Sequence, residues 1–246
     1  MSFNVTQYAS TLRARQVLTL MDLTSLNEQD TAADIVALCA KALEPVQVAA
    51  VCVYPQFVEL AAAHLTDTGV AIATVVNFPE GNAEYKTVYD DIKRCVKEGA
   101  TEIDVVFPYT AFLKEETGIK EFLQKCKKNC KSALLKVILE TGALGSVENI
   151  KTASALAIEA GADFLKTSTG KMAQGASVEA ATAMLQTIKE SGADVGIKIS
   201  GGVRSLDQAL PYLNLAEKIM GAAWITPQHF RFGASQLWTS ACEKIR

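Results

Sequence analysis

Histidine is almost missing from this sequence of 246 residues, which holds only His64 and His229. Neither lies near a pair of cysteines. None of the six cysteines (Cys39, Cys52, Cys95, Cys126, Cys130, Cys242) forms a CxxC motif, so the usual zinc spacings are absent. Cys126 and Cys130 stand four apart on an expected helix and offer at most half a metal site. Reduced thiols in a cytosolic protein are the simpler reading, and neither a metal nor a cofactor is expected. No apolar run approaches the ~20 residues of a membrane span, and the opening MSFNVTQYASTLRARQ lacks the apolar stretch of a secretory signal. Neither sign of charge is in excess. Lys plus Arg number 24 against 27 Asp plus Glu, a net −3, which removes the main electrostatic argument for nucleic-acid or membrane binding. No Ser/Gly/Pro-rich linker, low-complexity tract or charge block divides the chain. With 49 % apolar and 21 % charged residues, it has the composition of an ordinary globular protein. These absences predict a cytoplasmic protein with one domain spanning 1–246, in which 1–16 form an N-terminal extension or helix.

What is present is a repeating unit of strand and helix. Apolar or β-branched runs occur at VLTLMDLT, VAAVCVYP, VAIATVVNF, EIDVVFPY, ALLKVILET, DFLKTSTG, DVGIKISG and AAWITP. Segments with helical spacing lie between them, at 31–43, 84–99, 120–130, 147–161 and 177–192. Thr31 with Asp34 reads as a helix start; Gly99, Gly161 and Gly192 read as stops. One marked residue per strand (Asp22, Cys52, Asn77, Asp104, Lys136, Lys166, Lys198, Trp224) gives steps of 25 to 32 residues. Eight such units predict an α/β fold of the (β/α)8 TIM-barrel type. The competing doubly wound sheet would carry a Gly-rich loop after its first strand, and MDLTSLNEQD has none.

Strands of a parallel barrel are covered on both faces and should be nearly all apolar. A lysine within one is costly, and burial drives it towards its neutral form. Three successive strands here carry one each: Lys136, Lys166 and Lys198. A single lysine would read as a strand-end residue snorkelling to solvent; three on neighbouring strands point to a site. Alternation puts Phe164, Lys166 and Ser168 on one face, and Gly196, Lys198 and Ser200 likewise. Two adjacent amines raise the energy of each other's charged form, which leaves one neutral and able to form a Schiff base. Asp104 and Asp22, both in apolar strand settings, are the candidate proton carriers. A second constellation lies at the ends of the last strands, where barrel active sites are built: STGK at 168–171, SGGVR at 200–204 and FGAS at 232–235. Read as small turns that open helices, these offer backbone N–H groups to a phosphate, with Lys171 and Arg204 adding charge.

The strings LMDLT, VCVYP, VVNFPEGN, EIDVVFPY, LLKVILETG, DFLKTSTGK, GIKISGGVR and RFGAS, spread from about residue 17 to 237, resemble the deoxyribose-phosphate aldolase family. The resemblance implies a class I aldolase that reversibly cleaves 2-deoxy-D-ribose 5-phosphate to glyceraldehyde 3-phosphate and acetaldehyde without a metal. It implies Lys166 as the Schiff-base lysine, Lys198 as the lysine that tunes it, Asp104 as the proton relay and Asp22 as support. The implied phosphate cradle is Gly170, Lys171, Gly201, Gly202, Val203, Arg204, Gly233 and Ser235. Partners would then be small phosphosugars and aldehydes, with a homodimer as the expected assembly. The sequence departs from the family at Ile199-Ser200, where many members have Pro-Ala, and at Gln236, where a serine is more usual. Members with a long tail end in a tyrosine implicated in proton transfer, whereas this sequence stops at Arg246. The expectation is the same chemistry with altered rate and phosphate affinity.

Other residues have plainer expectations. Cys52 reads as core or as a pocket-lining thiol, and Lys136 as the partner of Asp104 or Glu140 and runner-up nucleophile. His64 and His229 read as unpartnered surface residues; the run at 54–57 and Trp224 read as packing. Two other functions fit a phosphosugar barrel: an isomerase or epimerase, and a catalytically silent binding protein. Neither needs a strand lysine, so borohydride reduction with an aldehyde separates them from an aldolase.

Overall fold

The apolar runs pair side by side because strands apolar on both faces must be covered on both. The structure, a computed structural model, describes residues 5–245, with side chains described from residue 9 onward. Its strands are β1 (Met21–Thr24), β2 (Ala50–Val53), β3 (Ala71–Val76), β4 (Glu102–Val106), β5 (Leu134–Ile138), β6 (Phe164–Lys166), β7 (Gly196–Ser200) and β8 (Phe230–Ala234). Neighbours are parallel throughout, and β8 pairs with β1 to close a (β/α)8 barrel. The helices are α1 (Val5–Thr19), α2 (Ala32–Leu43), α3 (Val58–Leu65), α4 (Tyr85–Lys97), α5 (Tyr109–Leu113), α6 (Ile119–Cys130), α7 (Thr141–Leu144), α8 (Val147–Glu159), α9 (Val178–Ser191), α10 (Leu206–Met220) and α11 (Gln236–Ile245). Among the described residues no helix is long and apolar enough to cross a membrane.

Side-chain chemistry fixes the helix ends. Thr31 and Asp34 form a reciprocal capping box on α2. Ser146, Ser177 and Ser205 cap α8, α9 and α10 by accepting the N–H three residues on. Gly99, Gly161 and Gly192 follow α4, α8 and α9 with positive φ, as their stop reading requires.

Two strand expectations need correction. The first strand begins at Met21, because residues 17–19 belong to α1. There Ala14, Val17 and Leu18 recur at helical spacing and are buried. The last strand is 230–234 rather than AAWITP. Gly221 ends α10, residues 222–224 form a short 3-10 turn, and Trp224 stacks on His229 with centroids 5.4 Å apart. FGAS is therefore mostly strand, not turn. Five helices (58–65, 109–113, 141–144, 206–220 and 236–245) lie in stretches that gave no marked helical signal. The longest of them, α10, carries Pro211 inside it.

The two faces of the barrel wall differ sharply. Outward residues such as Val51, Ile103, Val105, Leu135, Val137, Leu165 and Ile197 are buried in the main core, between strands and helices. Inside, β2 and β3 present small apolar groups: Cys52, Ala73 and Val75 form a separate cluster with Leu26. The other strands fill the interior with charge.

Candidate active site

Register decides which side chains meet. Asp104 on β4 pairs with Lys136 on β5, Ile138 with Lys166 on β6, Lys166 with Lys198 on β7, and Lys198 with Arg231 on β8. Side chains alternate along a strand and paired residues share a face, so all of these charged groups point into the barrel. The lysines do not snorkel: Lys136 and Lys198 are 0 % exposed and Lys166 is 2 % exposed.

Asp104 is the hub. Its Oδ2 accepts from the ammonium groups of Lys166 and Lys198 at 2.8 Å each, and its Oδ1 from Lys136 at 2.9 Å. Lys136 also donates to Glu102 Oε2 at 2.5 Å. Of its two expected partners it takes Asp104 and not Glu140. Asp22 Oδ2 lies 2.6 Å from the Lys198 ammonium as a charged contact without hydrogen-bond geometry, while its Oδ1 accepts from Arg231 Nη1 at 2.6 Å. Arg231 Nη2 reaches Glu102 Oε1 at 3.0 Å, and Nε donates to the Pro227 carbonyl. Gly233 leaves room for this packing, since a Cβ there would stand 2.8 Å from Lys198 Cε and 2.9 Å from Ser200 Oγ.

The environment separates the three lysines. Burial, helped by the charge of Lys198, lowers the Lys166 pKa despite the pull of Asp104. For Lys198 burial acts downward, but Asp104 and Asp22 outweigh it and hold the pKa well above its ordinary value. Lys136 is likewise raised against burial, by Asp104, Glu102 and Asp22. Burial would raise Asp104, yet the three lysines hold it well below the usual carboxylate range. One amine can therefore become neutral between two that stay charged, beside a carboxylate that stays ionised. Cys52 is buried nearby, and burial pushes its thiol pKa up, which makes it a poor nucleophile.

Above this cluster a pocket of about 310 Å³ opens at the C-terminal ends of the strands. Gly170 and Lys171 after β6, Gly201, Gly202, Val203 and Arg204 after β7, and Gly233 and Ser235 at the end of β8 all line it. Consecutive left-handed residues at Gly201 and Gly202 (φ 88° and 86°) make the sharp turn after β7. Helices α10 and α11 begin beside the pocket, and Gln236 lines it. The Lys171 ammonium bonds the Leu26 carbonyl at 2.6 Å, tying the loop after β6 to the loop after β1 across the opening. The Arg204 side chain is exposed at the rim.

Glu102 and Arg231 were missed by sequence reasoning. Arg231 went unseen because the eighth strand was placed on 222–227; alternation along FRFGA aims it inward between Phe230 and Phe232. Glu102 shares the face of Asp104 two residues on, a signal already present in EIDVV. A third addition is Glu140, fully buried, with its backbone in the left-handed region (φ 53°). Its Oε2 accepts from Thr169 N at 3.0 Å and Thr169 Oγ1 at 2.5 Å, and Thr169 Oγ1 in turn accepts from Lys171 N at 3.1 Å. Oε1 has no hydrogen-bond partner. His229 corrects the surface expectation: it is half-buried, stacked on Trp224 and bonded to Asp194 at 2.7 Å. His64 is exposed as expected. Cys126 and Cys130 are buried on α6, and burial raises the Cys130 pKa to about 12.

The family model described as DeoC/LacD family aldolase matches residues 16–233. A protein from Coccidioides immitis, provisionally named deoxyribose-phosphate aldolase, is 29 % identical with a TM-score of 0.84, over 94 % of this chain and 86 % of its own. A Toxoplasma gondii protein with the same provisional name has a TM-score of 0.91 at 23 % identity, covering 98 % of this chain and 97 % of its own. The deoxyribose phosphate aldolase of Aeropyrum pernix, described as having a unique tetrameric structure, has a TM-score of 0.79 at 23 % identity, over 99 % and 97 %. At 23 % identity the last two speak for the shared fold.

Proposed function

Because the chain belongs to the DeoC/LacD family of aldolases, we propose that it cleaves 2-deoxy-D-ribose 5-phosphate through a Schiff base on Lys166. The observation that carries this reading is the contrast among three buried lysines, of which Lys166 alone has a lowered pKa. The neutral Lys166 amine adds to the C1 aldehyde, and loss of water from the carbinolamine gives an iminium. The iminium accepts the electron pair of the C2–C3 bond as the C3 hydroxyl loses its proton. Glyceraldehyde 3-phosphate departs and an enamine remains. Protonation of the enamine at C2, then hydrolysis, releases acetaldehyde and frees Lys166.

Asp104 Oδ2, shared by Lys166 and Lys198, gives protons a path between the reacting nitrogen and its neighbour, and Asp22 anchors Lys198. The phosphate is assigned to the pocket at the strand ends, held by the turn after β7, the ends of β6 and β8, and the charges of Arg204 and Lys171. Residues 1–246 act as one catalytic domain. Cys39, Cys52, Cys95, Cys126 and Cys130 are buried free thiols, which suits a reducing, cytoplasmic setting. A homodimer is the expected assembly, and sedimentation distinguishes it from a tetramer such as that of the A. pernix relative.

Incubation with acetaldehyde and borohydride should add one ethyl group, mapped by peptide mass to Lys166. Label on Lys136 or Lys198 would overturn the assignment. No label at all would favour an isomerase or a silent binding protein.

A further inference from the structure

Three of the seven charged groups inside the barrel, Glu102, Lys136 and Arg231, have no part in this mechanism. Glu102 and Arg231 sit towards the N-terminal end of the barrel, below Asp104 and away from the pocket. Arg231 bridges Asp22 at 2.6 Å and Glu102 at 3.0 Å, and its guanidinium lies 5.6 Å from the centre of the Phe164 ring. Glu102 also holds Lys136, which holds Asp104. From Arg231 one arm thus runs through Asp22 to Lys198, and the other through Glu102 and Lys136 to Asp104.

Counted as ions, Asp22, Glu102 and Asp104 balance Lys136, Lys198 and Arg231. Lys166 is the surplus cation, and a buried cluster with net charge is costly. The interior is electrically even only when Lys166 is a free amine. Around Lys166 stand Asp104 from β4, Lys136 from β5, Lys198 from β7 and the Cys52 thiol from β2; β3 adds only Ala73 and Val75 among the described residues. We propose that Glu102 and Arg231 are positioning residues that complete this balance without Lys166, so that the floor of the barrel, and not Lys198 alone, keeps Lys166 the reactive amine. The proposal rests on the Schiff-base reading of Lys166.

It requires charge changes at the two floor positions to act in opposite directions. Glu102→Gln leaves Asp104 to keep Lys136 protonated, and the cluster with neutral Lys166 becomes positive. Protonating Lys166 is then harder, and the acid limb of Schiff-base formation moves to lower pH. Arg231→Met leaves the cluster negative, since Lys198 still holds Asp22 and Lys136 still holds Glu102. The limb then moves to higher pH. Both residues lie two strands from Lys166, about 10 Å at ordinary strand spacing, which at an effective dielectric of ~20 corresponds to about one pH unit each. The double variant restores evenness and should recover the wild-type limb. Arg231→Lys keeps the charge and should leave the limb in place.

The measurement is the pH dependence of acetaldehyde trapping by cyanoborohydride at Lys166, with circular dichroism reporting folding. Opposite shifts in the single variants, with recovery in the double, support the proposal. Shifts in one direction, or none, with Lys166 still labelled, overturn it and leave the aldolase reading intact. A wild type unlabelled at Lys166 at every pH overturns that reading, and this proposal with it. If Arg231→Met fails to fold, Glu102→Gln against Arg231→Lys still decides: a downward shift in the first and none in the second supports the balance, and any other result refutes it.

Discussion

Replacing Lys198 with leucine removes the cation nearest Lys166 while keeping its surroundings dry. Both ammonium groups lie 2.8 Å from the same oxygen, Asp104 Oδ2, so their separation is at most about 5.6 Å, twice that distance. At an effective dielectric of ~20 their repulsion is on the order of 3 kcal/mol, or roughly two pKa units. The sign follows from which form the neighbour penalises. Lys198 as a cation penalises the Lys166 ammonium, so its loss raises the Lys166 pKa. Below that pKa each unit leaves tenfold less neutral amine, and Schiff-base formation near neutral pH should fall about a hundredfold. The loss should shrink as pH rises towards the new pKa. A pH–rate profile of acetaldehyde trapping tests this directly, and the retro-aldol rate should fall further, because Lys198 also sits on the proton path. Removing one partner of a buried ion pair also costs about 3–5 kcal/mol of stability, so a melting curve must accompany the kinetics. Lys198→Arg restores charge in the wrong place and should rescue only in part. A folded Lys198→Leu variant whose acid limb stays where the wild type has it would refute the argument, and burial with Lys136 would then have to account for Lys166.

Arg204→Ala should cost on the order of 1–3 kcal/mol in kcat/KM with the phosphate ester and little with unphosphorylated deoxyribose; equal losses on both would remove Arg204 from the phosphate site. Glu140→Gln weakens the grip on Thr169, whose hydroxyl supports the Lys171 amide, so the KM for phosphorylated substrate should rise several-fold more than kcat falls. A matching drop in kcat on the free sugar would make Glu140 a general fold residue instead. Gly233→Ala drives a methyl towards Lys198 Cε and Ser200 Oγ; about 1–3 kcal/mol of overpacking should appear as a lower melting temperature together with slower Schiff-base formation. An iminium supplies the electron sink, so activity should survive EDTA; loss on chelation with recovery on added zinc would point to a metal-dependent aldolase.

The barrel was readable because its units repeat, and each repeat carried a strand too apolar for a surface. It blurred where two periods overlapped. Residues 17–24 are one apolar run by composition, yet Val17 and Leu18 continue the buried stripe of α1 and only Met21 onward joins the sheet. At the other end AAWITP has the composition of a strand, but Gly221 precedes it, Pro227 ends it and Trp224 finds its contact in His229. The true strand, FRFGA, overlaps the FGAS run, whose small residues read as a turn. Its arginine and its glycine both belong to the interior, one as a charge partner and one as space for Lys198.

The same distinction separates the legible from the hidden part of the site. A lysine flanked by apolar residues announces itself, because a strand covered on both faces has no ordinary use for it, so Lys136, Lys166 and Lys198 could be found one strand at a time. Which of the three reacts is not a property of any one strand. Lys136 and Lys198 have the same kind of flanks as Lys166, and local sequence would rank them alike. Among the described residues Lys136 contacts three carboxylates and Lys198 two, whereas Lys166 has an ion pair only with Asp104. That difference depends on Asp22, Glu102 and Arg231, which lie 144, 64 and 65 positions from Lys166 along the chain and reach its neighbours only through the pairing of the barrel's strands. The nucleophile is thus selected by how β1, β4 and β8 distribute their charges among the others, and closing β8 onto β1 sets the reactivity of a lysine on β6.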